Sequence, residues 1–214
     1  MAFIHTIPPS EAEGAVREMY ERAQKQVGYV PNWAQAFSLR PGVMAGWTAL
    51  LSSIRTNLST RMYELATLAA ARALRSSYCA LAHGNVLATS VFDPKTVTVI
   101  AEDAAAAAPL EPRERAVMRF AEKVVRSASE VTRADVAGLR AHGLRDEEIF
   151  DVAAAAAARC FFSTLLDALG AEPDSRFHEL DPALRRALTV GRAVGTEPIA
   201  TLPDRDGSKG GTVA

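Results

Sequence analysis

Apolar residues recur along this chain at helical spacing, three and four positions apart, and the breaks between those stretches are marked by Pro, Gly, Asp, Ser and Thr. The first stretch, Glu11–Val27, places Val16, Met19, Tyr20 and Ala23 on one stripe. Ser10 with Glu13 after Pro8-Pro9 reads as a capping box, and Gly28 as the stop, followed by a turn at Tyr29-Val30-Pro31-Asn32. Pro41-Gly42 opens a second helix with Val43, Trp47, Leu50, Leu51 and Ile54 on its apolar side. The segment Asn57-Leu58-Ser59-Thr60 caps a third, which runs from Arg61 to about Leu74, stutters at Arg75-Ser76-Ser77 and resumes from Tyr78 to about Val91. Asp93-Pro94 breaks it again. Val97–Ile100 is too short and isolated for a strand and reads as the first turn of a helix running into Ala104–Ala108. Further helices are expected over Arg113–Ser127, from Thr132 with Asp135 through Leu139, and from a cap at Asp146 to Leu169-Gly170.

These elements make an all-α chain, expected as one helical domain over residues 1–185 with a flexible tail over 186–214, where Gly, Pro, Asp, Ser and Thr take over. Composition agrees: hydrophobic residues make up 49% but aromatics only 7%, so the apolar content is mainly Ala, Leu and Val. Lys+Arg 24 against Asp+Glu 25 gives a net charge of -1, with no basic face for nucleic acid and no polybasic membrane patch. The start, MAFIHTIPPSEAEG, lacks the features of a signal peptide, and no stretch approaches the ~20 continuous apolar residues of a membrane span. Two cysteines are too few for a secreted disulfide framework, which makes a reducing cytoplasm the expected location.

An offset of 87 positions places Tyr63-Glu64 over Phe150-Asp151, Ala69–Arg72 over Ala156–Arg159 and Ser76 over Ser163. It suggests two related helical units with one helix–stutter–helix layout. Leu166 stands over Cys79, and Gly170 over His83, so only the first copy would hold a reactive site.

The concentrated chemistry lies in Ser76–His83. Cys79 and His83 are four residues apart, one turn along the same helix face. If the helix restarts near Ser77, Cys79 falls in its first turn, where unpaired N–H groups and the helix dipole favour a thiolate. His83 would serve as base or charge partner. Glu64 lies 19 residues before His83. On one straight helix that is ~28 Å, so Glu64 joins the site only where the chain folds back at Arg75–Ser77 or another subunit supplies it. Tyr78, Tyr29 and Trp33 are candidate pocket walls, with Trp47 more at home in the core. Cys160 reads as a small buried hydrophobe. Arg72 and Arg159 would pair with Glu64 and Asp151 or bind a carboxylate, the pairing being favoured. His5, His142 and His178 read as surface residues. With two ligands and no second Cys/His cluster, no metal site is expected. There is no phosphate loop and no G-x-S-x-G elbow.

At these residues the chain resembles the carboxymuconolactone decarboxylase superfamily, in its alkylhydroperoxidase-D-like, peroxidase-related branch. The branch pattern is Glu, eleven residues, Cys, two residues, Cys, three residues, His. Glu64, Ser76, Cys79 and His83 fall on those positions in register, with Ser in place of the first Cys. Val30-Pro31-Asn32 before Arg40-Pro41, and Leu144–Ile149 before Asp167-Ala-Leu-Gly170, extend the likeness over about residues 10–175.

The resemblance implies an all-helical fold, a homo-oligomer (trimer, hexamer or dimer), no cofactor, and thiol peroxidase chemistry on an organic hydroperoxide or related small molecule. Cys79 would attack the O–O bond, with Glu64 and His83 relaying the proton. Ser76 replaces the resolving Cys and cannot form a disulfide, so an external thiol reductant, another subunit's Cys or Cys160 would have to complete the cycle. Two other readings stand beside a one-Cys peroxidase. One is a cofactor-free lyase or isomerase using Glu64 and His83 as acid/base groups, as the family's decarboxylases imply. The other is a non-catalytic helical assembly.

Overall fold

The computed structural model describes residues 2–105 and 107–203, and over these the chain is helical with no strand, only an isolated antiparallel bridge between Val30 and Ala200. Ten α-helices occur among the described residues: α1 (Gly14–Val27), α2 (Asn32–Ala36), α3 (Pro41–Ile54), α4 (Thr60–Ala73), α5 (Ser77–Ser90), α6 (Pro94–Glu102), α7 (Pro112–Ser127), α8 (Arg133–Ala141), α9 (Asp146–Ala168) and α10 (Pro182–Leu188).

Helix α4 is the axis of the bundle. Every residue from Met62 to Ala71 is buried, and the helix packs against α5, α7 and α9 together. Five Ala between positions 66 and 73 permit that close approach from several sides. Ser59 starts it by accepting the Met62 N–H at 3.2 Å. It ends where Arg75 takes a left-handed φ of 58°, which turns the chain back so that α5 returns alongside α4. The stutter read at Arg75–Ser77 is therefore a reversal, the one arrangement that brings residues before and after it onto facing helices.

Several local readings hold in detail. Gly28 closes α1 at φ 89°, and Thr132 and Asp135 form a reciprocal capping box on α8. Others are corrected. The Ser10/Glu13 capping box does not form: Pro9–Glu11 is a 3-10 turn, Ala12 is extended, and α1 starts at Gly14 with Glu13 as its cap. Helix α6 does not run into the Ala run, because Asp103 is extended and its carboxylate takes the Ala105 N–H at 2.9 Å, a side-chain turn that competes with helix. Asn32, read as the last residue of a turn, instead opens the short α2, and Arg145 rather than Asp146 caps α9.

The 87-residue offset pairs side chains of equal burial (Glu64 with Asp151, Ser76 with Ser163), yet the layouts differ. Helix α9 runs unbroken through Phe162-Ser163, where the first copy reverses at Arg75-Ser76. By length and hydropathy α9 could cross a membrane, contrary to the expectation that no stretch would qualify. Here it is a core helix against α4 and α7, carrying buried Asp151 and Arg159.

Residues 189–203, placed in the tail by composition, lie against the body. The Gly191 N–H donates to Ser77 Oγ at 2.8 Å, the Val30 N–H to the Ala200 carbonyl at 2.7 Å, and the Leu202 N–H to Gln24 Oε1 at 2.8 Å. The remainder of the expected tail, 204–214, lies outside the described residues.

Candidate functional site

The reversal at Arg75 sets Glu64 of α4 against His83 of α5. Glu64 Oε2 and His83 Nδ1 are 2.6 Å apart, with side-chain exposures of 5% and 14%. On the other face of the imidazole, Arg159 of α9 places Nη1 3.0 Å from His83 Nε2. A guanidinium only donates, so Nε2 is the acceptor, and the ring proton sits on Nδ1 and points at Glu64. The tautomer is thus set from both sides. Burial, outweighing the hydrogen bond to Glu64, holds the His83 imidazole below its ordinary value of 6.5, and the Arg159 and Arg55 cations push the same way. At neutral pH the residue is a neutral imidazole between an anion and a cation.

These side chains line a cavity of ≈ 1010 Å³. Its wall is aromatic: Trp33, Trp47, Tyr63, Tyr29, Tyr78 and Phe162 all face it. Trp47 stacks on Phe162 with ring centroids 4.9 Å apart, and Arg159 Cζ lies 4.8 Å from the Trp47 centroid. Tyr78, Tyr29 and Trp33 line this cavity, and Trp47, expected in the core, is at once buried and part of the lining.

Cys79 sits in the first turn of α5, as its distance from the restart requires, and is 2% exposed. Tyr63 of α4 is also buried: burial raises its phenol, and its ring meets His83 edge-on at 6.1 Å between centroids. The cavity lining includes Tyr78, Ala82 and His83 from α5 but not Cys79, so the thiol lies behind the wall rather than in it. His83 Nε2, the nitrogen a thiol would need, is held by Arg159. Ser76 is fully buried at the cap position of α5, with a hydroxyl that does not cap the helix. Cys160 is partly buried on α9, its thiol directed at its own helix, 3.8 Å from the Ala156 carbonyl.

Neither arginine pairing expected from the sequence forms. Arg72 donates to the Ala187 carbonyl at 2.6 Å, Asp151 accepts from Asn57 Nδ2 at 2.9 Å, and Arg159 turns to His83 instead. A charged residue inside an Ala-rich helix was the signal for Arg159, but its target depended on which helix packed opposite. Asp174 gave no signal. It anchors the floor of the cavity, accepting from the hydroxyls of Tyr78 and Tyr29 (the latter at 3.2 Å) and from the Asn32 N–H at 2.7 Å. Burial raises its carboxyl above the usual range, and burial beside Asp174 pushes the Tyr78 phenol far up. His5, His142 and His178 are exposed and none lines the cavity, although the chain neighbours of His178, Phe177 and Glu179, do. Among the described residues no group of three or more His, Cys, Asp or Glu is gathered to hold a metal ion.

A helical bundle with a buried Glu–His pair in facing helices and an adjacent Cys defines a class of small all-α proteins. No protein-family model matches the sequence, and no curated protein matches it. Solved structures do. The fold is similar to the alkylhydroperoxidase AhpD core of a peroxidase-related protein from Ralstonia eutropha JMP134, at 27% identity and a TM-score of 0.71 over 81% of this chain and 96% of that one. A peroxidase-related protein from Silicibacter sp. TM1040 gives 25% identity and a TM-score of 0.71 over 81% and 92%. The debrominase Bmp8, as a cysteine-to-alanine variant with 2,3,4-tribromopyrrole, shares the fold at 16% identity and a TM-score of 0.66 over 88% and 98%. The chain therefore has the fold of the alkylhydroperoxidase AhpD core, consistent with the alkylhydroperoxidase-D/carboxymuconolactone decarboxylase-like superfamily.

Proposed function

We propose that this protein is an alkylhydroperoxidase-like oxidoreductase in which Cys79 is the nucleophile and the Glu64–His83 pair handles the proton. The observation that carries the reading is the 2.6 Å contact between Glu64 and His83, made across the reversal that also sets Cys79 in the first turn of α5. In the reaction, the Cys79 thiolate forms an S–O bond as the peroxide O–O bond breaks. The departing alkoxide takes up, through the Glu64–His83 pair, the proton that the Cys79 thiol gave up on ionising, giving an alcohol and a Cys79 sulfenic acid. With Ser at position 76, an external thiol condenses with the sulfenic acid, releasing water and leaving a mixed disulfide. A second thiol then frees Cys79 and departs as the oxidised disulfide.

The test is peroxide consumption with excess small thiol, together with trapping of the sulfenate by a dimedone-type probe and mass spectrometry. Turnover and a Cys79 adduct in wild type, both lost in Cys79→Ser, are expected. No turnover and no adduct in the folded wild type would overturn the assignment.

A second reading rests on a specific observation: Glu64 and His83 face the cavity while Cys79 lies behind its wall. A lyase or isomerase working by proton transfer through His83 needs no thiol. It predicts activity that survives Cys79→Ser and disappears in His83→Ala and Glu64→Gln. The cavity and its acid–base pair weigh against a purely structural module.

A further inference from the structure

Arg159 is 3% exposed, and its one hydrogen-bond partner among the described residues is His83. Its Nε and Nη2 groups are buried with no hydrogen-bond partner. These two atoms form one edge of the guanidinium, the edge whose parallel N–H groups match the two oxygens of a carboxylate. Other arginines with a buried, unpartnered Nε differ in kind. Arg113, Arg115 and Arg192 each spend Nη2 on Glu148, the Ala107 carbonyl and the Asp167 carbonyl respectively. Of these four, only Arg159 has the whole edge unpartnered, and only Arg159 lines the large cavity. Glu64, the nearby anion, is committed to His83 Nδ1. A desolvated cation with an unmatched planar edge calls for an anion that brings its own charge and geometry. Around it stand Trp33, Trp47 and Tyr63, flat rings that complement a planar ligand.

We propose that the cavity binds planar aromatic carboxylates, with the carboxylate on the Nε/Nη2 edge of Arg159 and the ring against the wall of Trp33, Trp47 and Tyr63. The proposal names a ligand class for the cavity invoked above, and it rests on that reading only in taking this cavity as the active one. It also couples the ligand to the proton relay. Arg159 opposes protonation of His83, so a carboxylate that neutralises its charge makes the imidazole a stronger base only when ligand is present.

The experiment measures binding alone, without turnover, so failure of the peroxidase chemistry leaves it readable. The chain has 2 tryptophans, Trp33 and Trp47, and both line the cavity, so intrinsic fluorescence reports occupancy. Benzoate is titrated against its neutral isostere benzamide and against cyclohexanecarboxylate, with Arg159→Lys and, as a control outside the cavity, the exposed Arg126→Gln as variants. Benzoate is expected to bind at least about tenfold tighter than either comparison ligand, since a bidentate charged contact and ring stacking each carry a factor of that order. Arg159→Lys should remove most of the benzoate preference while leaving benzamide unchanged, and Arg126→Gln should alter both little. Equal affinity for benzoate and benzamide, no benzoate binding, or full retention in Arg159→Lys would overturn the carboxylate site. Equal affinity for cyclohexanecarboxylate would overturn the aromatic half. Should Arg159→Lys fail to fold, the wild-type affinity ratios and a benzoate-induced rise of the His83 pKa by NMR decide the matter. A pKa that does not move would count against the site.

Discussion

Replacing Glu64 by Gln changes one atom of the site and removes its negative charge. The amide oxygen can still accept the His83 Nδ1–H, so the geometry of the 2.6 Å contact survives as a neutral hydrogen bond. A charge-assisted hydrogen bond is roughly twice as strong as a neutral one, so the direct loss is about 1 kcal/mol. A second cost falls on Arg159, whose buried cation is compensated through the imidazole. Breaking a directly bonded buried ion pair costs about 3–5 kcal/mol, and the intervening ring reduces that to about 1–3 kcal/mol. Both side chains of the Glu–His pair are well under a third exposed, so solvent screening is slight. The expected sum is about 2–4 kcal/mol, or about 4–16 °C in Tm for a chain of this size. Urea unfolding and calorimetry at pH 7.5 measure it. Imidazole NMR supplies the second readout: both contributions of Glu64 raise the His83 pKa, so it should fall further in Glu64→Gln. Glu64→Gln combined with Arg159→Met removes both charges and should cost less than the sum of the single variants. A stability change below about 0.5 kcal/mol, a rise of the His83 pKa, or strict additivity in the double variant would refute the buried-charge argument.

Two further outcomes follow from the same geometry. Because His83 is held below 6.5 in the folded chain, the unfolded chain binds more protons as pH falls below that value. Its contribution to stability is therefore complete above pH 6.5 and is lost as pH drops toward the folded pKa. Urea unfolding over pH 5–8 should show that acid limb, and His83→Gln should flatten it. Asp174 has the opposite sign, since its raised carboxyl makes ionisation costly as pH rises from its ordinary 3.8 through the folded value. Gly191→Ala sets a new Cβ 2.0 Å from the Arg75 carbonyl oxygen, a backbone atom at the reversal that cannot swing aside. The expected result is a loss of about 1–3 kcal/mol and faster proteolysis within 189–203, with unchanged cleavage there as the contrary finding.

The sequence exposed the elements and hid their neighbours. Capping at Ser59, the left-handed stop at Gly28 and the capping box at Thr132 are local events, fixed by residues within a turn of one another, and each was legible in the chain. The Ala104–Ala108 segment was misjudged because propensity favours helix there, while one Asp103 side chain offered the backbone a competing partner. The break at Arg75–Ser77 was visible too, but its angle was not. A stutter, a kink and a full reversal share the same residues, and only the packing of α4 in the centre of the bundle selects the reversal.

What the sequence determined by itself was the all-helical class, the placement of Cys79 in a first helical turn, and the register of Glu64, Ser76, Cys79 and His83. What only the tertiary structure decided was which of these face each other. It joined Glu64 to His83 across the reversal, put Cys79 behind the cavity wall, and gave His83 Nε2 to Arg159 rather than to the thiol. The physical reason is the reach of the interactions. Helix periodicity and capping act over three or four residues, whereas the partner of a buried charge is chosen by whichever helix closes over it, here α9 from 76 residues further along the chain.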